Sequence, residues 1–398
     1  MDHPKTPSNA FPLNRLVHFP LTLVLFLTFL NTSSGQTLYE TLQSGKLRKE
    51  VKIKIQLPRK YYENKDKSYP LIVVLDGDYL FEPMAGNVDF MSYWEEMPEA
   101  MVVGIMQEDR ELQTTTNTNT NYPDDEGRRF FEFVGMELMP FLNTRYRLAN
   151  FNVVAGHDLT ANFINFYLLK PNPLFNGYIS LSPTTTPQML ERLSTRLKDT
   201  KYPTFYYLAT GSEDPEDLRE NCYNIHHELA ILNNENVKYY FDDFDDVTHY
   251  TLVSRAIPQA LIDLFGIFRP ITKKEYNEVI LNLEKGEYYD YIDKKYKLIK
   301  ELYSLNEKVR YNDLVAVSQA MVKVNDWKGL KRLSALAKEH YPGTVLSPYY
   351  EGLSLEGKGD YDKAYRTYQA AYILGSVGNI DREVLLERAG RIKQKYGY

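Results

Sequence analysis

The sequence predicts an α/β fold, a mostly parallel sheet with helices on both faces, followed by a smaller all-α region. Three observations carry this expectation. Continuous apolar runs rich in β-branched and aromatic residues recur at 69–75, 100–106, 177–182 and 204–210, and such runs suit strands buried on both faces. Segments of helical spacing lie between them, and strand–helix alternation is the pattern of a parallel sheet covered on two sides. After Pro270 no strand-like run remains.

The elements follow in order. Lys5, Arg15 and His18 precede an apolar run at 21–30, and the small residues Thr32, Ser33, Ser34 and Gly35 follow it. A basic segment, a short apolar segment and a small-residue cleavage zone make a signal peptide over 1–35, with the mature chain starting near Gln36. The run is too short to cross a bilayer comfortably. The protein is therefore expected to be exported, periplasmic or secreted, with no stable membrane span after cleavage. Residues 51–57 alternate apolar and polar, as in a half-buried edge-type strand. Residues 113–122 are polar and aperiodic and read as a mobile surface loop. Phe130, Phe133, Val134, Leu138, Phe141 and Leu142 form one apolar stripe, which predicts a helix over 127–146. Further helices are expected over 159–169, 190–197, 218–232 and 251–268, with a last strand at 237–241.

These elements place the α/β domain at 36–270 and the helical domain at 271–398. Within the latter, Gly352, Gly359, Tyr361, Ala364, Tyr368 and Ala371 occupy the small and aromatic positions of a 34-residue tetratricopeptide-type repeat. Ser318, Trp327, Ala337 and Pro342 stand in equivalent places of a second, and 282–302 reads as a degenerate third. A short helical array of this kind presents a groove to a protein partner or packs on its neighbour domain.

Composition narrows the function classes. With a formal net charge of -6 the chain lacks the basic surplus of a nucleic-acid binder. Its one cysteine, Cys222, excludes an intrachain disulfide and reads as a buried thiol. The 33 tyrosines serve packing, or a half-wet surface for a small-molecule, acyl or sugar ligand. No cofactor or metal is expected; a metal site from Asp158, Asp214 and His249 would have too few hard ligands.

The chemistry centres on residues 151–163. A short apolar run ends at Gly156, His157 and Asp158 follow, and a helical pattern begins at Leu159. Strand, sharp turn and helix is the layout of a nucleophile elbow, G-x-S-x-G, but Asp158 stands at its centre and Thr160 where the second glycine belongs. Around it lie Leu75-Asp-Gly-Asp78, Val103-Gly-Ile105 followed by Asp109-Arg110, Ala155-Gly-His157, Ile179-Ser-Leu-Ser-Pro183, Gly211-Ser-Glu-Asp214 and Thr248-His249. In that order the set resembles the esterase branch of the α/β-hydrolases, which includes esterase D and the ferri-siderophore esterases. The resemblance implies His249 as base, Asp214 as the acid that orients it, and oxyanion donors from the backbone N–H groups of Gly77 and Leu159. Asp78, Tyr79 and Arg110 are expected to contact the ligand, Arg110 alternatively forming a salt bridge inside the fold.

Two functions remain open at this level. In the first, Asp158 is not catalytic: it fills its own site, accepts the oxyanion N–H groups and pairs with His249, leaving a binding or scaffold protein. In the second, Asp158 attacks. Gly156-His157-Asp158 is similar to the turn of haloalkane dehalogenases and epoxide hydrolases, where a carboxylate nucleophile forms an ester that His-activated water cleaves. Attack on a carboxylic ester would instead give an anhydride, less stable than the substrate. The β-branched Thr160 is expected to alter or relax the strained turn.

Overall fold

The computed structural model describes residues 37–397, so the expected signal peptide lies outside the described residues. The strands are β1 (Thr37–Ser44), β2 (Lys49–Gln56), β3 (Tyr69–Val74), β4 (Met101–Ile105), β5 (Leu148–His157), β6 (Gly177–Leu181), β7 (Thr204–Glu213) and β8 (Val237–Thr248). They form one eight-stranded sheet in the order β1-β2-β4-β3-β5-β6-β7-β8. β2 pairs antiparallel with β4, and every neighbouring pair from β4 to β8 is parallel. β3, β4 and β6 are buried at every position, as their unbroken apolar sequence requires. β1, which the sequence pattern did not reveal, covers the outer side of β2, so residues 51–57 are not the edge.

Parallel neighbours require crossover connections. The helices that supply them include α1 (Phe81–Tyr93), α2 (Asp125–Phe133), α3 (Met139–Arg145), α4 (Leu159–Phe163), α5 (Met189–Asp199), α6 (Glu216–Ala230) and α7 (Leu252–Phe265). The chain moves from β3 outward to β4 and then returns to β5 on the other side of β3. That reversal opens a crevice beyond the carboxyl ends of β3 and β5, where open α/β sheets place their ligands. Asp76 follows β3 there, and Asp158 follows β5.

Three expectations need correction. The helix over 127–146 is interrupted by a π-helical turn, Val134–Leu138. The turn carries Glu137, which accepts from the Ser44 hydroxyl (2.5 Å) and the Lys46 amide (3.1 Å) and so ties the helix to the β1–β2 connection. The 113–122 segment is a closed loop rather than a loose one. The Asn117 N–H donates to the Tyr122 carbonyl at 2.9 Å, and Arg192 donates to the carbonyls of Thr120 and Asn121 while lying 4.1 Å over the Tyr122 ring. The last strand continues past 241 to Thr248 through the acidic run Asp242-Asp-Phe-Asp-Asp246.

Beyond α7 the chain is helical: α8 (Tyr288–Tyr303), α9 (Tyr311–Lys323), α10 (Trp327–His340), α11 (Leu346–Gly357), α12 (Tyr361–Ala370) and α13 (Arg382–Tyr396). From α10 onward each packs on the next. α11 and α12 approach so closely that a Cβ on Gly352 would lie 2.1 Å from the Tyr368 ring. These helices enclose their own apolar core, with Leu314, Leu330, Leu346 and Leu385 among its members.

α8 belongs to both halves. Its Ile299 and Tyr303 join the core beneath the sheet. The Tyr303 ring stands 4.8 Å from Phe151 and 5.4 Å from Phe265, and its hydroxyl donates to the Leu264 carbonyl at 2.8 Å. Arg310 adds a hydrogen bond to the Phe268 carbonyl (2.5 Å) and an ion pair with Glu95 (3.2 Å). Truncating Tyr303→Ala removes a fully buried aromatic from this junction and should cost about 3–5 kcal/mol. Urea unfolding monitored by tryptophan fluorescence and circular dichroism checks it, and a loss under about 1 kcal/mol would mean that Tyr303 does not couple the two parts.

Candidate active site

The elbow keeps its sharp turn. Asp158 has φ 58° and ψ −115°, a left-handed backbone conformation that L residues rarely adopt. Gly156 permits it, because a Cβ there would come within 2.5 Å of the Thr160 backbone. Thr160 does not relax the turn; it braces it. Its hydroxyl accepts the His157 N–H at 2.9 Å and donates to Asp76 Oδ2 at 2.5 Å. A glycine in that position would offer neither bond.

Asp76 is the acid that the sequence reading did not single out. It follows β3, also with positive φ (54°), and is 2% exposed. Burial pushes its carboxyl pKa up, against the opposing pull of Arg110, Thr160 and Tyr79. The Arg110 Nε lies 2.9 Å from Asp76 Oδ1, one Nη lies 3.3 Å from Asp158 Oδ2, and the other donates to the His157 carbonyl at 2.7 Å. The guanidinium is thus engaged within the fold, which favours the salt-bridge alternative over contact with a ligand. The second oxygen of Asp158 accepts from the Thr184 hydroxyl. No ion pair or hydrogen bond joins Asp158 to His249 among the described residues, so the expected Asp158–His249 pair is corrected to an Asp158–Arg110 pair.

His249 and Asp214 do meet. His249 Nδ1 donates to Asp214 Oδ1 at 2.8 Å. Burial opposes ionisation of Asp214, but hydrogen bonds from His249, the Thr210 hydroxyl (2.7 Å) and the Gly211 N–H (3.0 Å) outweigh it and bring the carboxyl down to about 2. An ionised partner at Nδ1 fixes the proton there. Nε2 then carries the lone pair, and no protein group takes it among the described residues. This is the tautomer that a general base requires.

His157 stands between the loops as a spacer. Its ring lies 4.2 Å from that of His249, Nε2 is 3.1 Å from the His249 carbonyl, and Nδ1 is 3.1 Å from the Tyr79 hydroxyl. A carbonyl only accepts, so Nε2 bears the proton, and the one Tyr79 hydroxyl proton is shared between Nδ1 and Asp76 Oδ2, 3.2 Å away. Burial and the neighbouring His249 push the imidazole down to about 4. Tyr79 is therefore a partner of both His157 and Asp76, and the residue is 42% exposed. Asp78 is exposed beside it and lines a small cleft with Lys49 and Gln107.

Of the two expected oxyanion donors, Gly77 is not available: its N–H donates to the Ile105 carbonyl at 2.8 Å, closing β3 onto β4. A Cβ on Gly77 would come within 2.7 Å of the Gly104 backbone, so the glycine serves close packing. No protein acceptor takes the N–H of Leu159 or of Asp78 among the described residues, and Asp78 is the donor that this loop leaves free. Ser182 also has positive φ (46°) but is fully buried, which denies it the place of an attacking hydroxyl. Cys222 is buried and its thiol is pushed up to about 12 by burial and by Asp214. Among the described residues no group of three or more His, Cys, Asp or Glu is arranged to hold a metal ion.

A mostly parallel sheet, a sharp turn after β5, Asp214 after β7 and His249 after β8 define the class: this chain has an esterase-like α/β-hydrolase fold. Residues 44–237 match the family described as "Putative esterase". Ferri-bacillibactin esterase BesA of Bacillus subtilis (strain 168) is 25% identical over 228 residues, 48% of this chain and 79% of that protein. The crystal structure of an uncharacterised protein from Capnocytophaga ochracea DSM 7271 superposes with a TM-score of 0.82 at 30% identity, covering 90% of this chain and 100% of that one. That likeness extends through the helical region. An IroE-like serine hydrolase from Shewanella oneidensis, at 19% identity and a TM-score of 0.54 over 76% of this chain and 99% of its own, shares the fold alone.

The low pKa of His157 has a consequence for stability. Its folded value, about 4, is below the unfolded value of about 6.5. The unfolded chain therefore binds this proton first as pH falls. The contribution is fully present above pH ~6.5, is lost progressively between ~6.5 and ~4, and amounts to on the order of 3 kcal/mol. His157→Asn should flatten the pH dependence of unfolding in that window, measured by urea titration at several pH values. An unchanged slope would show that the imidazole is not held neutral.

Proposed function

We propose that this protein is an exported, non-catalytic member of the esterase-like hydrolases that acts as a binding or scaffold module. The observation that carries the reading is the Asp158 carboxylate: one oxygen pairs with Arg110, the other accepts from Thr184, and neither is bonded to His249 among the described residues. A carboxylate so occupied lacks the proton that an attacking alcohol would give to His249, and its attack on an ester would yield the less stable anhydride. Charge-assisted bonds of this type contribute about 1.5–3 kcal/mol each, so the residue stabilises the turn that it occupies. The basic and apolar segments before residue 36 support export. The helical region supports a role in protein contact, since a tetratricopeptide-like array exposes a groove between its helices. The crevice beyond β3 and β5 is the place for a small-molecule, acyl or sugar ligand.

A second reading rests on a different observation. The strained elbow and the Asp214–His249 pair with its open Nε2 are the parts that a hydrolase with Asp158 as nucleophile would use. Haloalkanes and epoxides suit a carboxylate attacker, and His249 would activate the water that releases the product.

A panel of activated acyl esters, epoxides and haloalkanes separates the two. Purified wild type should turn over none above background, and Asp158→Asn should change nothing. Asp158→Ser should gain hydrolysis of short activated esters, with the gain lost again in the Asp158→Ser/His249→Ala double variant. Wild-type turnover that disappears in Asp158→Asn would reject the non-catalytic reading. So would mass-spectrometric capture of a covalent adduct on Asp158 in His249→Ala.

A further inference from the structure

We infer that the trough across α10, α11 and α12 binds an extended acidic segment of a protein partner, anchored by one apolar side chain. This rests on the reading of the helical region as a contact module and is independent of what Asp158 does. Two cavities of about 590 Å³ and 480 Å³ share Lys331, Glu351 and Thr367 and so form one continuous trough. α10 contributes Lys331, Ser334, Ala335 and Lys338, spaced three, four and seven residues apart, which is a single helix face. α12 offers the same spacing in Lys363, Arg366, Thr367 and Ala370.

The trough has two chemically distinct ends. Toward one, Tyr341, Pro348, Ala371 and Leu374 line the wall, and no charged group other than Lys338 stands among them. Toward the other lie Lys358, Lys363 and Arg366. Lys363 and Arg366 are partly compensated by Asp360 (3.6 Å) and Asp362 (3.1 Å). Lys331, Lys338 and Lys358 make no ion pair among the described residues, and Glu351 is the one carboxylate in the middle. A surplus of unpaired cations along one groove stands out in a chain of formal net charge -6. Like charges gathered this way repel one another, and a ligand carrying carboxylates relieves that repulsion.

An extended strand fits the dimensions. Three helices with axes ~9 Å apart span ~18 Å, and at ~3.3 Å per residue that length takes about six residues. The segment should therefore place one leucine-like side chain at the Tyr341–Leu374 end and several Asp or Glu side chains along Lys331, Lys358 and Arg366.

The test uses the full chain and a fluorescein-labelled peptide of about six residues, glutamates followed by a terminal leucine, read by fluorescence polarisation. A peptide with glutamines in place of glutamates is the control. The acidic peptide should bind about tenfold or more tightly than the control and weaken as salt is raised from about 50 to 200 mM. Lys331→Glu/Lys358→Glu should abolish the difference while its melting temperature stays at the wild-type value; both residues are exposed, so folding should survive. Absent binding, equal binding of the two peptides, or an unaffected double variant would overturn the inference. Tighter binding of a single-stranded oligonucleotide or a phosphatidylglycerol vesicle through the same lysines would overturn it too. Ester turnover measured on the same preparations keeps the two readings apart: loss of peptide binding without turnover removes only this inference, and turnover with intact peptide binding removes only the non-catalytic elbow.

Discussion

The Arg110 guanidinium sits where the ends of β3 and β5 converge, and the rest of the site is arranged around it. It faces the buried Asp76 after β3, Asp158 at the elbow after β5, and the carbonyl of His157 between them. Each of those residues stands at a strand end that open α/β sheets use for ligands. Removing one partner of a buried ion pair strands the other charge and costs about 3–5 kcal/mol. Asp76, 2% exposed and with its carboxyl pKa already raised by burial, pairs with no other cation among the described residues and depends on Arg110 most. The same pairing that holds the strained elbow together also occupies the group that would have to react.

The side chains of the site form two hydrogen-bonded groups, with no direct bond from Asp158 to His249 among the described residues. On one side Asp76, Arg110, Asp158, Thr160 and Thr184 satisfy one another. On the other, Asp214 holds His249 in the tautomer of a base. His157 separates them, neutral, hydrogen-bonded at both ring nitrogens and packed against His249. In an acyl-transfer site the two halves are joined by a hydroxyl proton moving from nucleophile to base. Here the turn carries a carboxylate, Asp158, that is bonded to Arg110 and Thr184.

The helical region is bound to the hydrolase part by aromatic packing as well as by charge. Tyr303 enters the core beneath the sheet, and Arg310 reaches Glu95 beyond the end of α1. These contacts join the core beneath the sheet to the helical region through α8. The recurrence of both parts in the Capnocytophaga ochracea structure fits a single architectural unit.

Much of the fold was legible in the sequence. Strands buried on both faces announce themselves by unbroken apolar runs, and the elbow by Gly156 between a strand and a helix. α1 was missed although Phe81, Met84, Ala85, Val88 and Met91 keep helical spacing, because Pro83 and Gly86 interrupt the pattern near its start. β1 was missed because its alternation is only half apolar, and its place is set by pairing with β2. The sequence by itself determined the order Asp158, Asp214, His249, and that a carboxylate follows Gly156 and His157 at the turn. Only the tertiary structure decided which partner that carboxylate takes, that Thr160 braces the turn, and that the Gly77 amide is already used. Those choices depend on distances between strand ends far apart in the chain, and residue spacing along a sequence carries no information about which cation arrives first.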